Sequence, residues 1–224
     1  ASRKACVYLA WPDRGGGAIE RLLGEQSRST ICSDRFVAYE KYPLQQRGLC
    51  WAHLRRNFQR CVDRGGASGA IGEEGLEICR EVFSQWRRFA AGEIGRVALK
   101  RRMGKAEARM RRLLLRGGKC AVGKTAKLCR RLHKRQEALW RFATVEGLEP
   151  TNNLAERMLR GAVIWRKKCF GSFSKAGCRF VERMLSVIAT LRMRGREVLD
   201  YLERVVSAYR LGGAARAMGG SVMR

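Results

Sequence analysis

Arg47-Gly48-Leu49-Cys50-Trp51-Ala52-His53-Leu54-Arg55-Arg56-Asn57-Phe58-Gln59-Arg60-Cys61-Val62 changes its period part-way along. Residues 47–51 are a short, largely apolar run of the kind a buried strand uses. From Leu54 onward the apolar residues fall at Leu54, Phe58, Cys61 and Val62, the spacing of one helical face. A strand feeding directly into an amphipathic helix is the elementary piece of an α/β fold. The residues upstream repeat the alternation. Residues 6–11 read as a strand, 18–24 as a short helix with Ile19, Leu22 and Leu23 on its apolar face, 29–33 as a second strand and 35–41 as a helical turn.

Beyond Gly65, Gly66 and Gly69 the pattern turns helical and stays so to about residue 145. Residues 74–90 place Cys79, Val82, Phe83, Trp86 and Phe89 on one side, 94–116 are rich in Arg, and 125–142 use Leu128, Leu132, Leu139 and Phe142 as one helix. A further helix begins near Asn153, 168–175 reads as a glycine-containing turn or hairpin, and 180–191 and 196–209 read as two amphipathic helices. The expected organisation is a partial α/β core over 1–64, an all-helical insertion over 65–148, a helical return to the core over 149–211 and a frayed tail over 212–224.

Composition narrows the partner. The chain carries 47 Lys and Arg against 20 Asp and Glu, a net charge of +27 and a pI near 10.9. Such a surface recruits a polyanion. With 46% hydrophobic residues the chain can still bury a core. Its longest apolar runs, such as 161–165 and 186–191, are far too short to span a bilayer, so no membrane is expected. The start shows neither an initiator Met nor a signal-peptide pattern, which reads as a piece beginning inside a domain. Nine scattered cysteines, an odd number, argue against a disulfide framework and for a reducing cytoplasm.

Two carboxylates stand out. Asp34 sits where a strand gives way to a helical turn, the place from which a side chain reaches a cleft at a sheet's carboxyl edge; the same position suits an N-cap. Glu156, in Glu149-Pro150-Thr151-Asn152-Asn153-Leu154-Ala155-Glu156-Arg157, falls in the first turn of a helix, where it can bind a metal or close a capping box with Asn153. Arg157, Arg160, Arg166, Lys167 and Lys168 follow it and suit phosphate binding. Two-metal phosphoryl chemistry draws carboxylates from separate elements, and two are one short of a comfortable site. Asp13, after Pro12 and before three glycines, reads as a loop residue.

Three other patterns compete. Gly118-Lys119-Cys120-Ala121-Val122-Gly123-Lys124-Thr125 matches the phosphate-loop pattern of an NTPase, but helical sequence precedes it, where that loop needs a strand. Cys50 with His53, and Cys129 with His133, have spacings that suit a tetrahedral zinc site; the plainer reading is a cysteine in the strand and a histidine starting the next helix, with Cys50 and His53 as candidate cleft residues. Among the aromatics near basic residues, Trp51 and Phe170 read as core, and Trp165 is kept as a base-stacking candidate.

Five stretches carry a resemblance. These are Cys32-Ser33-Asp34-Arg35-Phe36-Val37-Ala38-Tyr39, Leu49-Cys50-Trp51-Ala52-His53-Leu54-Arg55-Arg56, Glu149 to Arg160, Val163-Ile164-Trp165-Arg166-Lys167, and Phe170 to Leu185. In that order, over residues 16–202, they resemble the catalytic region of the IS66-family insertion-sequence transposases. The resemblance implies a partial RNase H-like fold with a DDE triad, in which Asp34 matches the second Asp and Glu156 the final Glu. It implies two Mg²⁺ ions held by those carboxylates, phosphodiester cleavage and strand transfer on DNA, and Arg157, Arg160 and Lys167 gripping the DNA backbone. Other transposase subunits or accessory proteins, and a bacterial, nucleoid-associated location, are implied with it. Nothing in the chain matches the family's first catalytic Asp or its amino-terminal recognition region. The expectation is therefore a fragment with little strand transfer of its own, the alternative being a non-catalytic, basic DNA-binding remnant.

Overall fold

A computed structural model of the chain describes residues 1–12, 15–24 and 28–211. Asp13 and the tail from Gly212 lie outside the described residues. The order of elements is α1 (Gly16–Leu23), β1 (Ile31–Ser33), β2 (Arg47–Leu49), α2 (Trp51–Val62), α3 (Gly66–Ala90), α4 (Arg96–Gly117), α5 (Gly123–His133), α6 (Gln136–Thr144), α7 (Asn153–Lys168), α8 (Lys175–Met193) and α9 (Val198–Arg210). Short 3₁₀ turns at Val37–Lys41 and Leu44–Gln46 join the strands. The chain divides into two compact units, Arg14–Asn153 and Ala1–Asp13 with Leu154–Arg224.

In the unit of residues 14–153, β1 and β2 pair in parallel, Ile31 with Arg47, Cys32 with Gly48 and Ser33 with Leu49. The Cys50 amide donates to the Ser33 carbonyl at 2.9 Å and carries the ladder to the start of α2. Trp51, the first residue of α2, has no exposed surface. Its indole N–H donates to the Leu139 carbonyl at 2.8 Å, and its ring meets Trp140 edge-on with centroids 5.0 Å apart. Around it Phe58, Ile78, Val82, Leu99, Met103, Met110, Leu113, Leu132 and Phe142 form one core, so the helical stretch and the α/β start share a single hydrophobic interior.

The structure corrects two readings of this region. The glycines after residue 64 do not all punctuate the chain: α3 begins at Gly66, and Gly69, Gly72 and Gly75 lie inside it. They let α2 and α3 approach closely. A Cβ on Gly72 would stand 2.5 Å from the Val62 amide nitrogen and 2.7 Å from the Phe58 carbonyl oxygen, and one on Gly75 would stand 2.4 Å from the Phe58 ring. Because the atoms met at Gly72 are backbone, Gly72→Ala is expected to cost about 2–3 kcal/mol, read as a lower urea midpoint at unchanged slope. The second correction concerns residues 125–142, which form two helices, α5 and α6. The break at Lys134 and Arg135 turns the chain so that Ala138, Leu139, Trp140, Phe142 and Ala143 all bury.

In the other unit, residues 6–11 are not a strand, although their backbone is pinned like one. The amides of Cys6, Tyr8 and Ala10 donate to Thr190 Oγ1 (3.1 Å), Ser186 Oγ (2.9 Å) and Glu182 Oε1 (2.8 Å) of α8. Thr190 returns a bond to the Cys6 carbonyl, and the Tyr8 hydroxyl donates to the Met158 carbonyl at 2.6 Å. Two residues of extended chain advance roughly 6.6 Å and four residues of helix about 6 Å, so alternate amides meet every fourth side chain. With no strand beside it among the described residues, the segment satisfies alternate amides on a helix instead.

All nine cysteines are free thiols. Burial, the largest cause, pushes the Cys79 and Cys129 thiols up to about 12. A folded pKa above the unfolded one favours the fold fully below about pH 8.5, and that contribution is lost as pH rises toward about 12. Urea midpoints are therefore expected to fall between pH 8 and pH 10.5, by on the order of 1 kcal/mol per buried thiol, with Cys79→Ala and Cys129→Ala flattening the dependence.

Candidate metal-binding carboxylates and nucleic-acid surface

Asp34 directly follows β1 at its carboxyl end and is half-buried. Its Oδ1 accepts the Phe36 amide at 2.9 Å, which closes a turn two residues long. It is therefore not an N-cap: the 3₁₀ turn after it begins at Val37, with Phe36 in the capping position. The turn occupies one carboxylate oxygen, and no hydrogen bond is formed by the other among the described residues.

Guanidinium groups crowd this end of the unit. Burial and the nearby charges of Arg135 and Arg131 push the Arg35 pKa down, and Asp34 alone opposes them. Arg47, at 3% exposure, is pushed down by burial and by Arg135, against Glu40. Glu40 forms an ion pair with Arg135, while Nε and Nη2 of Arg47 are buried without a hydrogen-bond partner. Arg35 thus accompanies Asp34, with Arg131 and Arg135 near it, while Arg135 and Arg47 accompany Glu40.

Glu156 lies in the first turn of α7, where a carboxylate complements the helix dipole. Asn153 is the first residue of α7 rather than the residue before it, so the capping-box placement is not the one observed. Arg157, Arg160, Arg166, Lys167 and Lys168 are all exposed along the same helix, and Trp165 is half-buried. Asp34 belongs to one compact unit and Glu156 to the other.

Among the described residues no group of three or more His, Cys, Asp or Glu comes together to hold a metal. Cys50/His53 and Cys129/His133 therefore do not assemble a zinc site. Cys50 is buried at the start of α2, His53 is half-buried one turn on, and Cys129 packs within the core.

The phosphate-loop pattern is a helix connection. The Gly118, Lys119 and Cys120 amides donate back to the Leu114, Arg116 and Gly117 carbonyls, closing the end of α4. They are not free to cradle phosphate. Thr125, whose hydroxyl would have to meet magnesium, is fully buried, shares a 2.6 Å hydrogen bond with Ser68 and accepts from Arg64 at 3.3 Å. An NTPase site is thereby ruled out here.

Sequence reasoning assigned Phe170 to the core and passed over Phe173. Phe170 is 85% exposed and Phe173 95%, both in the loop between α7 and α8. The available signal was negative: the helical period stops at Lys168, so neither ring has a face to belong to.

No solved structure matches the chain. A protein of Sinorhizobium fredii (strain NBRC 101917 / NGR234), described only as uncharacterized protein y4qI, is 29% identical over 221 residues, covering 86% of this chain and 36% of that protein. The chain thus spans about a third of the length of that relative. Residues 1–179 match the family model described as transposase IS66 family, most of the chain and both candidate carboxylates. The chain belongs to the IS66 family of transposases.

Proposed function

We propose that this chain is part of a DNA-cleaving transposase region in which Asp34 and Glu156 are metal-holding carboxylates and the surrounding cations hold DNA phosphates. The observation that carries the reading is Asp34. It sits at the carboxyl end of a parallel strand, with one oxygen committed to a turn and the Arg35 guanidinium beside it, itself close to Arg131 and Arg135. A carboxylate kept in so cationic a setting is poised for a divalent ion and a phosphodiester together.

Both side chains offer hard carboxylate oxygens, the donors that Mg²⁺ prefers. When bound, the metal would supply activation of the attacking oxygen and stabilisation of the leaving one. The chain's own part is to hold the carboxylates and, through Arg157, Arg160, Arg166, Lys167 and Lys168, the DNA backbone. The strand-to-helix placement of Asp34 supports a partial RNase H-like core. A nucleoid location among other transposase subunits follows from the same reading. No helix among the described residues is long and apolar enough to cross a membrane.

A second reading, a non-catalytic DNA-binding remnant, draws on the finding that no three His, Cys, Asp or Glu come together to hold a metal among the described residues. Mg²⁺-dependent nicking of plasmid DNA separates the two, with Asp34 and Glu156 variants as controls.

A further inference from the structure

The loop of residues 169–174 presents apolar surface where a water-exposed loop would be expected to carry polar side chains. Its two phenylalanines are almost wholly exposed, Phe170 at 85% and Phe173 at 95%. Phe170 also has φ of 57°, the left-handed region, just past the end of α7 where glycine is the usual occupant. Gly171 follows it with φ of 85°.

The loop is fastened at both ends. The Cys169 amide donates to the Trp165 carbonyl at 2.9 Å. Ser174 Oγ caps α8 by accepting the Gly177 amide at 3.0 Å, and Cys178 Sγ reaches the Ser172 carbonyl at 3.5 Å. The rings are thus held outward by an anchored backbone that spends a strained residue to do so.

Charge selects the occupant. From Arg157 to Phe180 the chain carries Arg157, Arg160, Arg166, Lys167, Lys168, Lys175 and Arg179 and no carboxylate. Arg166, Lys167 and Lys168 precede the rings, Lys175 and Arg179 follow them, and all five are exposed. An apolar protein surface gains nothing from so many unpaired cations. Nucleic acid offers both partners, phosphates for the cations and flat base faces for the rings. In a duplex those faces are stacked on one another, so only unpaired bases can meet the rings.

We propose that Phe170 and Phe173 form a base-stacking wedge that engages unpaired bases of DNA while Arg166, Lys167, Lys168, Lys175 and Arg179 hold the adjoining phosphates. The wedge rests on the reading of the chain as a DNA-acting protein and adds to it a preference for opened over fully paired DNA. It needs no metal and no catalytic carboxylate.

The test measures binding of this chain to two oligonucleotides, one fully paired and one with a central bubble containing 2-aminopurine, by anisotropy and by 2-aminopurine emission. The intact protein is expected to prefer the bubble by about tenfold and to change the emission on binding. The Phe170→Ala/Phe173→Ala variant should lose both signals while its duplex affinity stays within about twofold, and Phe170→Trp/Phe173→Trp should restore them. Both residues are exposed, so unchanged helical circular dichroism is expected of each variant. A bubble preference that survives in the double Ala variant overturns the wedge, as does equal binding of both DNAs by the intact protein. Loss of self-association in the double Ala variant without loss of bubble preference overturns it in favour of a protein interface. No binding to either DNA overturns the DNA-acting reading along with it.

Discussion

Glu156→Ala and Asp34→Ala are each expected to lower Mg²⁺-dependent plasmid nicking by about 1,000-fold, in whichever form of the protein, this chain or an upstream-extended one, shows nicking at all. That factor corresponds to roughly 4 kcal/mol of lost transition-state stabilisation, a reasonable loss for a carboxylate that holds a catalytic metal. Asp34 has a second task, because its Oδ1 accepts the Phe36 amide. Asp34→Asn separates the two: the amide oxygen keeps the turn and the charge is lost. The same collapse of activity in Asp34→Asn, with duplex DNA binding intact, assigns the loss to the metal rather than to local unfolding. Nicking that persists in the variants overturns the roles given to the two carboxylates, and nicking absent from every form favours the DNA-binding remnant. Removing one of the cations proposed to grip phosphate is expected to give a different signature, a uniform weakening of DNA affinity that shrinks as salt rises, because the salt slope falls by about one.

The largest expected stability effect is at Trp51. Truncation to Ala removes a side chain with no exposed surface, two edge-on ring contacts and the partner of a buried carbonyl at Leu139. Large aromatic truncations in cores cost about 3–5 kcal/mol, and the orphaned carbonyl adds about 1–2. A loss of that size approaches the whole stability of a typical domain. It should appear as a collapse of the urea midpoint and as thiol labelling of Cys79 and Cys129, both fully buried, in the absence of denaturant. Trp51→Phe keeps most of the ring packing and forfeits the hydrogen bond, so its cost should be about 1–2 kcal/mol. Midpoints that coincide for Trp51→Ala and the parent would mean that α2 and α6 do not share a core.

Much of the helical content could be read directly. The apolar spacing of Leu54, Phe58 and Cys61, and of Cys79 and Val82, follows helical period, and each of these residues buries as that period requires. Where reading failed, the decisive interaction was distant in sequence. Gly69 reads as punctuation yet lies inside α3, and the use of Gly72 and Gly75 shows only when Phe58 and Val62 are laid against them. Residues 6–11 look like a strand, and only the side chains of Glu182, Ser186 and Thr190 show how their backbone is satisfied. Phe170 and Phe173 are ordinary apolar letters until their exposure is known.

The sequence alone determined the charge, the helical periods, the positions of Asp34 and Glu156 at element boundaries, and a resemblance that the family match bears out. Those properties are local or additive, and a chain carries them before it folds. The tertiary structure decided that the phosphate-loop pattern is a helix connection, that the cysteine and histidine pairs gather no metal site among the described residues, that Arg131 and Arg135 stand near the Arg35 that accompanies Asp34, and that two rings stand in water. Each of these depends on which groups lie within a few ångströms of one another. Residue spacing along a chain does not encode that proximity; packing creates it.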